Sequence, residues 1–162
     1  MVQQAMRAAA IRNSVGALVT AQRYAEQAGV EVSTPATQAL EYAVEYRHKD
    51  ICEYLVREAG ADIEATNPNG YTPMAQAAEC GYMGMMSKLV QLDAKPQGGA
   101  GLKSPLRAAV RWGDPSMVLF LLKHGAYDEP SEEGKTCLME AARTGSMEMV
   151  QVCECIQPKF AH

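Results

Sequence analysis

Apolar residues along this chain recur at intervals of three and four, which is the spacing of one face of an α-helix. Between residues 49 and 56, one stripe is formed by Ile51, Cys52, Leu55 and Val56. Polar segments rich in Gly, Asn and Pro separate such stripes. In the segment 67–70, Asn69-Gly70 favours a tight turn with positive φ. The pattern predicts short helices joined by turns.

The helical segments repeat along the chain. Residues 72–81, 104–113 and 136–145 each open with Thr or Ser, continue through Met or Leu and small residues, and close with Gly. The closing glycines Gly81, Gly113 and Gly145 lie 32 residues apart. Weaker copies occupy residues 4–13 and 38–47, and a second apolar stripe follows each copy. The sequence therefore contains about five helix–helix units.

Each recurrent residue has a physical role. Thr or Ser caps the helix N-terminus, and Pro at the first helical position loses no hydrogen bond. The closing Gly adopts the left-handed conformation that ends a helix, for which Asn13 is a weaker substitute and Arg47 a poor one. A column of small residues lets neighbouring helices approach closely; its members are Ala9, Ala43, Ala77, Ala109 and Ala141.

The order of elements resembles the ankyrin repeat over residues 4–157. That order is two helices, Gly-Ala-Asp, a hairpin loop and then Thr-Pro-Leu, repeated at this period. The resemblance implies an all-α solenoid of about five helix–turn–helix units with hairpin loops, in a single domain spanning 1–162. The units would be 4–32, 33–66, 67–98, 99–130 and 131–157. The sequence departs from the family where His usually follows Thr-Pro-Leu; the residues there are Glu41, Ala75, Arg107 and Met139.

The resemblance also implies a concave face that binds a protein partner. We expect this concave face to be lined by the two residues before each closing position. The hairpin residue before each N-cap, Thr37 included, should also lie on this face. The side chains expected to bind the partner are Arg12, Glu45, Tyr46, Tyr71, Glu79, Lys103, Arg111, Trp112, Lys135 and Arg143. Arg, Tyr and Trp are frequent interface anchors. Trp112 and Tyr46 could instead pack on neighbouring loops.

Charge along this face is uneven. Lys103, Arg111, Lys135 and Arg143 make the C-terminal half basic, whereas Glu45 and Glu79 make the middle acidic. An acidic peptide would suit the basic half, and a solvated face of alternating charge is the alternative.

Composition narrows the function classes. The net charge of −4 gives no attraction to nucleic acid, and no apolar run approaches the roughly 18 residues of a membrane span. An odd number of cysteines, five, without a spacing framework indicates free thiols in a reducing compartment, cytoplasmic or nuclear. Residues 1–25 are Ala-rich, with Arg7, Arg12 and Arg23. They fit a first repeat better than a mitochondrial transit peptide.

Candidate chemistry is sparse. Cys153, Cys155 and His162 supply too few ligands for a metal site, and the glycines at 98–101 lack the Lys of a phosphate loop. No acid, base and nucleophile converge, so we expect neither an enzyme nor a cofactor. Glu154, where the fourth unit has Leu122, predicts a water-facing C-terminal cap. We expect a monomer because both ends resemble caps.

The leading functional hypothesis is a protein–protein interaction module: an adaptor, scaffold or inhibitor. The alternative is a regulator that inhibits a protein kinase or another enzyme by direct binding.

Overall fold

The computed structural model describes residues 1–97, 103–128 and 136–154. Within these ranges the regular structure is helical and includes ten α-helices that form five successive pairs. The helices are α1 (Val2–Ile11), α2 (Val15–Gln27), α3 (Ser33–Glu45), α4 (Lys49–Arg57), α5 (Pro73–Glu79), α6 (Met83–Gln91), α7 (Pro105–Trp112), α8 (Pro115–Lys123), α9 (Cys137–Thr144) and α10 (Met147–Glu154). The all-α prediction is confirmed.

The first helices begin and end as the repeated residues predict. The hydroxyls of Thr72, Ser104 and Thr136 accept hydrogen bonds from the backbone N–H three residues on, at 3.3–3.4 Å. Gly113 and Gly145 terminate α7 and α9 with φ of 90° and 73°. The local sequence therefore fixes both ends of these helices.

Arg47 occupies a closing position with a left-handed φ of 62°. This conformation is unfavourable for a residue with a Cβ. The Arg47 guanidinium carbon lies 3.8 Å from the centre of the Tyr82 ring in the next unit. This cation–π contact offsets part of the backbone strain and ties the second unit to the third.

The helix pairs stack in sequence order. Each first helix packs on the next one, from α1 on α3 to α7 on α9, and second helices also meet, as α2 does with α4. A column of core side chains runs through the first four units at 0–1 % exposure; its members are Met6, Leu40, Met74 and Leu106. The core is thus built between neighbours, as in a solenoid.

The start of the second unit differs from the prediction. Thr37 is not a hairpin residue, because α3 begins four residues earlier, at Ser33. Pro35 lies in the first turn of α3, where a missing N–H is tolerated. The Thr37 hydroxyl donates to the Ser33 carbonyl and accepts from the Asp62 N–H, at 2.8 and 2.9 Å. Thr37 therefore connects α3 to the following loop.

The two ends of the stack also differ from the prediction in part. The helix pair of residues 2–27 packs on α3, as the repeat interpretation requires. At the other end Glu154 is exposed, as a cap requires, but Leu138, Met139 and Met147 are exposed too, by 39, 58 and 72 %. The last unit is therefore not a polar cap in the described part of the chain.

Candidate functional site

Most of the predicted binding residues lie at the C-terminal ends of the first helices. We call the following residues the groove row: Arg12, Glu45, Tyr46, Glu79, Cys80, Arg111, Trp112 and Arg143. Tyr46 and Trp112 are 49 % and 55 % exposed. Arg12, Glu45 and Arg143 are exposed, whereas Glu79, Cys80 and Arg111 are half-buried. The row therefore offers two aromatic side chains with charged groups around them.

Trp112 contacts the preceding unit. A Cβ added to Gly81 would lie 2.2 Å from Cε2 of the Trp112 indole, so the ring rests directly on the glycine backbone. Gly81 has a φ of 72° and ends the first helix of the third unit. Trp112 thus packs on a neighbouring loop and still leaves half of its surface exposed.

The two arginines in the C-terminal half of the groove row are paired with carboxylates. Nη2 of Arg111 lies 2.5 Å from Oε2 of Glu79, in the preceding unit. Nη2 of Arg143 lies 2.7 Å from Oε1 of Glu140 on its own helix. Each guanidinium has a carboxylate in contact, so the row carries ion pairs rather than an open basic patch. This matches the alternating-charge alternative better than a site for acidic peptides.

Tyr71 and Lys103 lie together at the other end of the first helices, each directly before an N-cap. Nζ of Lys103 is 5.9 Å from the centre of the Tyr71 ring, and its side chain runs along Gly70 at the hairpin turn. Lys103 is exposed and Tyr71 half-buried. Lys135, the equivalent of Lys103 in the last unit, is outside the described residues.

A cavity of about 480 Å³, which we call the hairpin cavity, lies at the opposite end of the first helices. It is formed by α1, α3, α5 and the loop 62–71, and its lining includes Arg7, Glu41, Tyr42, Tyr71 and Gln76. The Arg7 guanidinium carbon is 4.4 Å from the centre of the Tyr42 ring. Burial, and next the nearby Glu45, raise the pKa of Glu41, while Arg7 opposes them.

Among the residues that the sequence predicted for the concave face, Thr37 and Tyr71 line this cavity. The available signal was that Arg7 and Glu41 stand at the position that is usually His, with opposite charges in adjacent units. Their placement on one cavity depends on the stacking of α1 on α3, which no local pattern encodes.

Arg107, at the same position in the fourth unit, has a structural role. Its side chain is 2 % exposed, and Nη2 lies 3.6 Å from Oδ1 of Asp128. Oδ2 of Asp128 accepts a 2.7 Å hydrogen bond from the Cys137 N–H at the start of α9. Arg107 and Asp128 therefore join the fourth unit to the fifth through the interior.

The cysteine thiols in the described part of the chain are poorly suited to nucleophilic chemistry. Burial raises the pKa of Cys52 to about 12 and that of Cys153 to about 11. Burial, then the carboxylates of Glu79 and Glu45, raise the pKa of Cys80 in the groove row. Thiolate is the reactive form, so these groups stay protonated and unreactive near neutral pH.

Other candidate chemistry has structural explanations. Nδ1 of His48 lies 2.7 Å from the Ala10 carbonyl, and Nδ1 of His124 lies 2.8 Å from the Phe120 carbonyl. Both rings thus bind backbone oxygens. Cys155 and His162 fall outside the described residues, within which there is no group of three metal-ligating side chains. No described helix is long and apolar enough to cross a membrane.

Comparison with known proteins agrees with this architecture. The family described as ankyrin repeats (three copies) matches residues 5–100 and 40–129. A transient receptor potential cation channel subfamily A member 1 homolog from Caenorhabditis elegans is 31 % identical over 99 residues, covering 60 % of this chain and 8 % of that protein. The ankyrin repeat and KH domain-containing protein mask-1 from the same organism is 33 % identical over 101 residues, covering 60 % and 4 %. The chain therefore spans less than a tenth of the length of these relatives.

These matches cover well over half of the chain, and the chain belongs to the ankyrin-repeat family. Ankyrin repeats are generally protein–protein interaction modules without catalytic activity.

Proposed function

We propose that this chain binds a partner protein along its concave face, with the groove row as the contact surface. The observation that supports the proposal is the exposure of Tyr46 and Trp112, at 49 % and 55 %. Both residues belong to units that have a neighbour on each side. Large aromatic side chains dominate the energetics of many interfaces. Each would contribute on the order of 2 kcal/mol or more to binding as an anchor.

The charges of the row favour a partner surface of mixed polarity. Arg111 and Glu79 form an ion pair next to Trp112, so a partner can meet a donor and an acceptor side by side. A stable complex would bury about 800 Å² on each partner. That area extends beyond the two aromatic residues to the charged side chains of the groove row.

Binding of this kind suits an adaptor, a scaffold or an inhibitor. The alternative is that the chain inhibits a kinase or another enzyme by direct binding. An assay of the bound partner's activity, with and without added protein, distinguishes an inhibitor from a passive adaptor.

The test compares partner capture by variants that differ only at exposed positions. Tyr46→Ala removes a groove-row aromatic, and Leu119→Ala, at a side chain 53 % exposed on a second helix, is the matched control. We expect a partner captured by the wild type to be lost with Tyr46→Ala and kept with Leu119→Ala. Thermal melts establish that each variant is folded.

A charge exchange sharpens the test. The double change Glu79→Arg, Arg111→Glu keeps an ion pair across the two units and reverses its direction on the surface. We expect the fold to survive and partner binding to fall at least tenfold. Retention of the same partner by both this variant and Tyr46→Ala would place the binding site elsewhere.

A further inference from the structure

The hairpin cavity lies beside the stretch in which the second unit departs from the repeat. The first helix of that unit, α3, has 13 residues, against seven in α5 and eight in α7. The Thr37 hydroxyl on α3 accepts a 2.9 Å hydrogen bond from the Asp62 N–H, which holds the start of the loop 62–71 against the helix. The volume of about 480 Å³ falls within the range of ligand sites, roughly 300–1,000 Å³. The irregular second unit therefore helps to form a space large enough for a ligand.

Glu41 lines this cavity without a partner for its carboxylate. The side chain is half-buried, and it makes no hydrogen bond or ion pair with any residue that the structure describes. Burial is the main reason that the pKa of Glu41 is raised, and the nearby Glu45 adds to it, while Arg7 opposes both. Burial and a like charge both disfavour the ionised carboxyl group. A cation that entered the cavity would therefore stabilise the charged form of Glu41.

The rest of the described lining also favours a cation. Asp62 supplies a second carboxylate, and its Oδ1 accepts a 2.9 Å hydrogen bond from the Glu64 N–H. The positively charged residue of the described lining is Arg7, whose guanidinium carbon lies 4.4 Å from the centre of the Tyr42 ring. This cation–π contact already compensates the charge of Arg7. The described lining thus carries more negative than positive charge, together with a second aromatic ring, Tyr71.

We propose that the hairpin cavity binds an arginine side chain of the partner protein, with its guanidinium paired to the Glu41 carboxylate. Arginine fits better than lysine, because its planar guanidinium pairs with a carboxylate through two hydrogen bonds and stacks on aromatic rings. The contact of Arg7 with Tyr42 is an example of a guanidinium on an aromatic ring of this cavity.

The cavity adjoins the groove row, so one partner can reach both. Glu41 precedes Glu45 of the groove row by one turn of α3, about 6 Å along the helix axis. About two extended residues of a bound polypeptide span that distance. The inference rests on the proposed function for the protein nature of the partner, but its test needs no partner.

The test is an NMR titration of the isotope-labelled 162-residue chain with a capped tripeptide, acetyl-Gly-Arg-Gly-amide. We expect amide shifts that cluster at residues 37–42 and 62–71. The dissociation constant should be on the order of 1 mM, because a single side chain makes a small contact. The neutral acetyl-Gly-Gln-Gly-amide and guanidinium chloride should each bind at least about tenfold more weakly. The first lacks the charge, and the second lacks the side-chain stem and the backbone.

Glu41→Gln removes the charge and keeps the size of the side chain, so it should weaken binding of the arginine peptide at least about tenfold. Glu58→Gln is the matched control, because it removes the same charge from an exposed position outside the described lining. This control should bind the peptide like the wild type. In the wild type the peptide should lower the pKa of Glu41, since a cation favours the ionised carboxylate. If Glu41→Gln proves unfolded in a thermal melt, Asp62→Asn tests the second carboxylate and should also weaken binding.

A wild type without amide shifts at ten times the expected dissociation constant would overturn the proposal. Equal binding of acetyl-Gly-Lys-Gly-amide would overturn the choice of arginine, and equal binding of guanidinium chloride would indicate a site for a small cation instead. The proposed function and the cavity assignment fail separately. An unchanged peptide titration, with partner capture lost in Tyr46→Ala, would overturn the cavity assignment alone. Peptide binding at the cavity, with partner capture that survives Tyr46→Ala, would overturn the role of the groove row alone.

Discussion

Leu106 and Leu138 are the same residue at the same position of successive units, yet they are 1 % and 39 % exposed. The difference arises from the neighbouring unit, which covers Leu106 and is absent from the described structure beyond Leu138. Tyr46 and Trp112 are exposed for a different reason, since their units are packed on both sides. Exposure at the ends of the stack follows from a missing neighbour, whereas exposure of Tyr46 and Trp112 within it does not, and the proposed binding surface rests on this difference.

The largest expected difference in stability between the interior and the end of the stack concerns two arginines. Arg107 is buried against Asp128, whose side chain is only 12 % exposed. Arg107→Ala therefore leaves the Asp128 carboxylate in the interior without its cation. We expect a loss of about 3–5 kcal/mol in the free energy of unfolding. Arg143→Ala is the matched change at the end, where the guanidinium is 70 % exposed, and we expect little change. Urea denaturation followed by circular dichroism measures both, and equal losses would contradict the contrast.

Core leucines give the next largest effect. Leu106→Ala opens a cavity between two packed units and should lower the free energy of unfolding by about 2–5 kcal/mol. Leu138→Ala removes a side chain that is already partly solvated, and we expect less than about 1 kcal/mol. The same denaturation experiment compares the pair. A loss at Leu138 as large as that at Leu106 would show that another part of the chain covers the last unit.

Glycine substitutions separate backbone strain from contact with the indole. Gly81 and Gly145 both have positive φ, at 72° and 73°, but only Gly81 is covered by Trp112. Gly145→Ala should lower the free energy of unfolding by about 1–2 kcal/mol through strain alone. Gly81→Ala should cost more and also displace the indole.

Trp112, the only tryptophan, reports that displacement. The emission maximum should shift in Gly81→Ala and stay unchanged in Gly145→Ala. An unchanged spectrum in Gly81→Ala would show that Trp112 does not rest on this glycine in solution.

The smallest predicted effect concerns a surface ion pair between units. The Lys88 ammonium, 2.7 Å from Oε2 of Glu53, lowers the pKa of the Glu53 carboxyl below its ordinary value of 4.5. Because the folded pKa is the lower one, this stabilisation is present above pH 4.5 and is lost as the pH falls through the folded pKa. Lys88→Met should return the pKa of Glu53 toward 4.5 in an NMR titration.

Glu140 is the matched group at the end of the stack. Its partner Arg143 lies on the same helix and lowers the pKa of Glu140 by a hydrogen bond. Lys88→Met should leave the pKa of Glu140 unchanged. A coupled change in both groups would mean that the variant disturbs the fold rather than one contact.

Features that depend on residues close together in the chain could be predicted from the sequence. The caps at Thr72, Ser104 and Thr136, the left-handed glycines and the buried Ala column follow from residues close together in the chain, and the structure confirms them. The early start of α3 was missed because the period was read from the Thr-Pro of later units, whereas Thr34-Pro35 lies four residues before the expected position.

Long-range contacts were beyond sequence reasoning. Arg107 stands where the family usually has His, and only the folded chain brings Asp128 to it across the unit. Arg111 reads as a free cation because its carboxylate partner, Glu79, is 32 residues away in the chain. The charge of a solenoid surface depends on which columns meet, so residue types alone could not show that Arg111 and Arg143 each contact a carboxylate.

The central claim is that the aromatic side chains exposed within the stack bind a protein partner. Site-specific photo-crosslinking tests it directly, with a benzophenone amino acid placed at Tyr46 in one variant and at Leu119 in another. Both positions are about half exposed, at 49 % and 53 %. The account predicts a discrete crosslinked partner from Tyr46 that is absent from Leu119. A partner crosslinked from Leu119 and not from Tyr46 would contradict it.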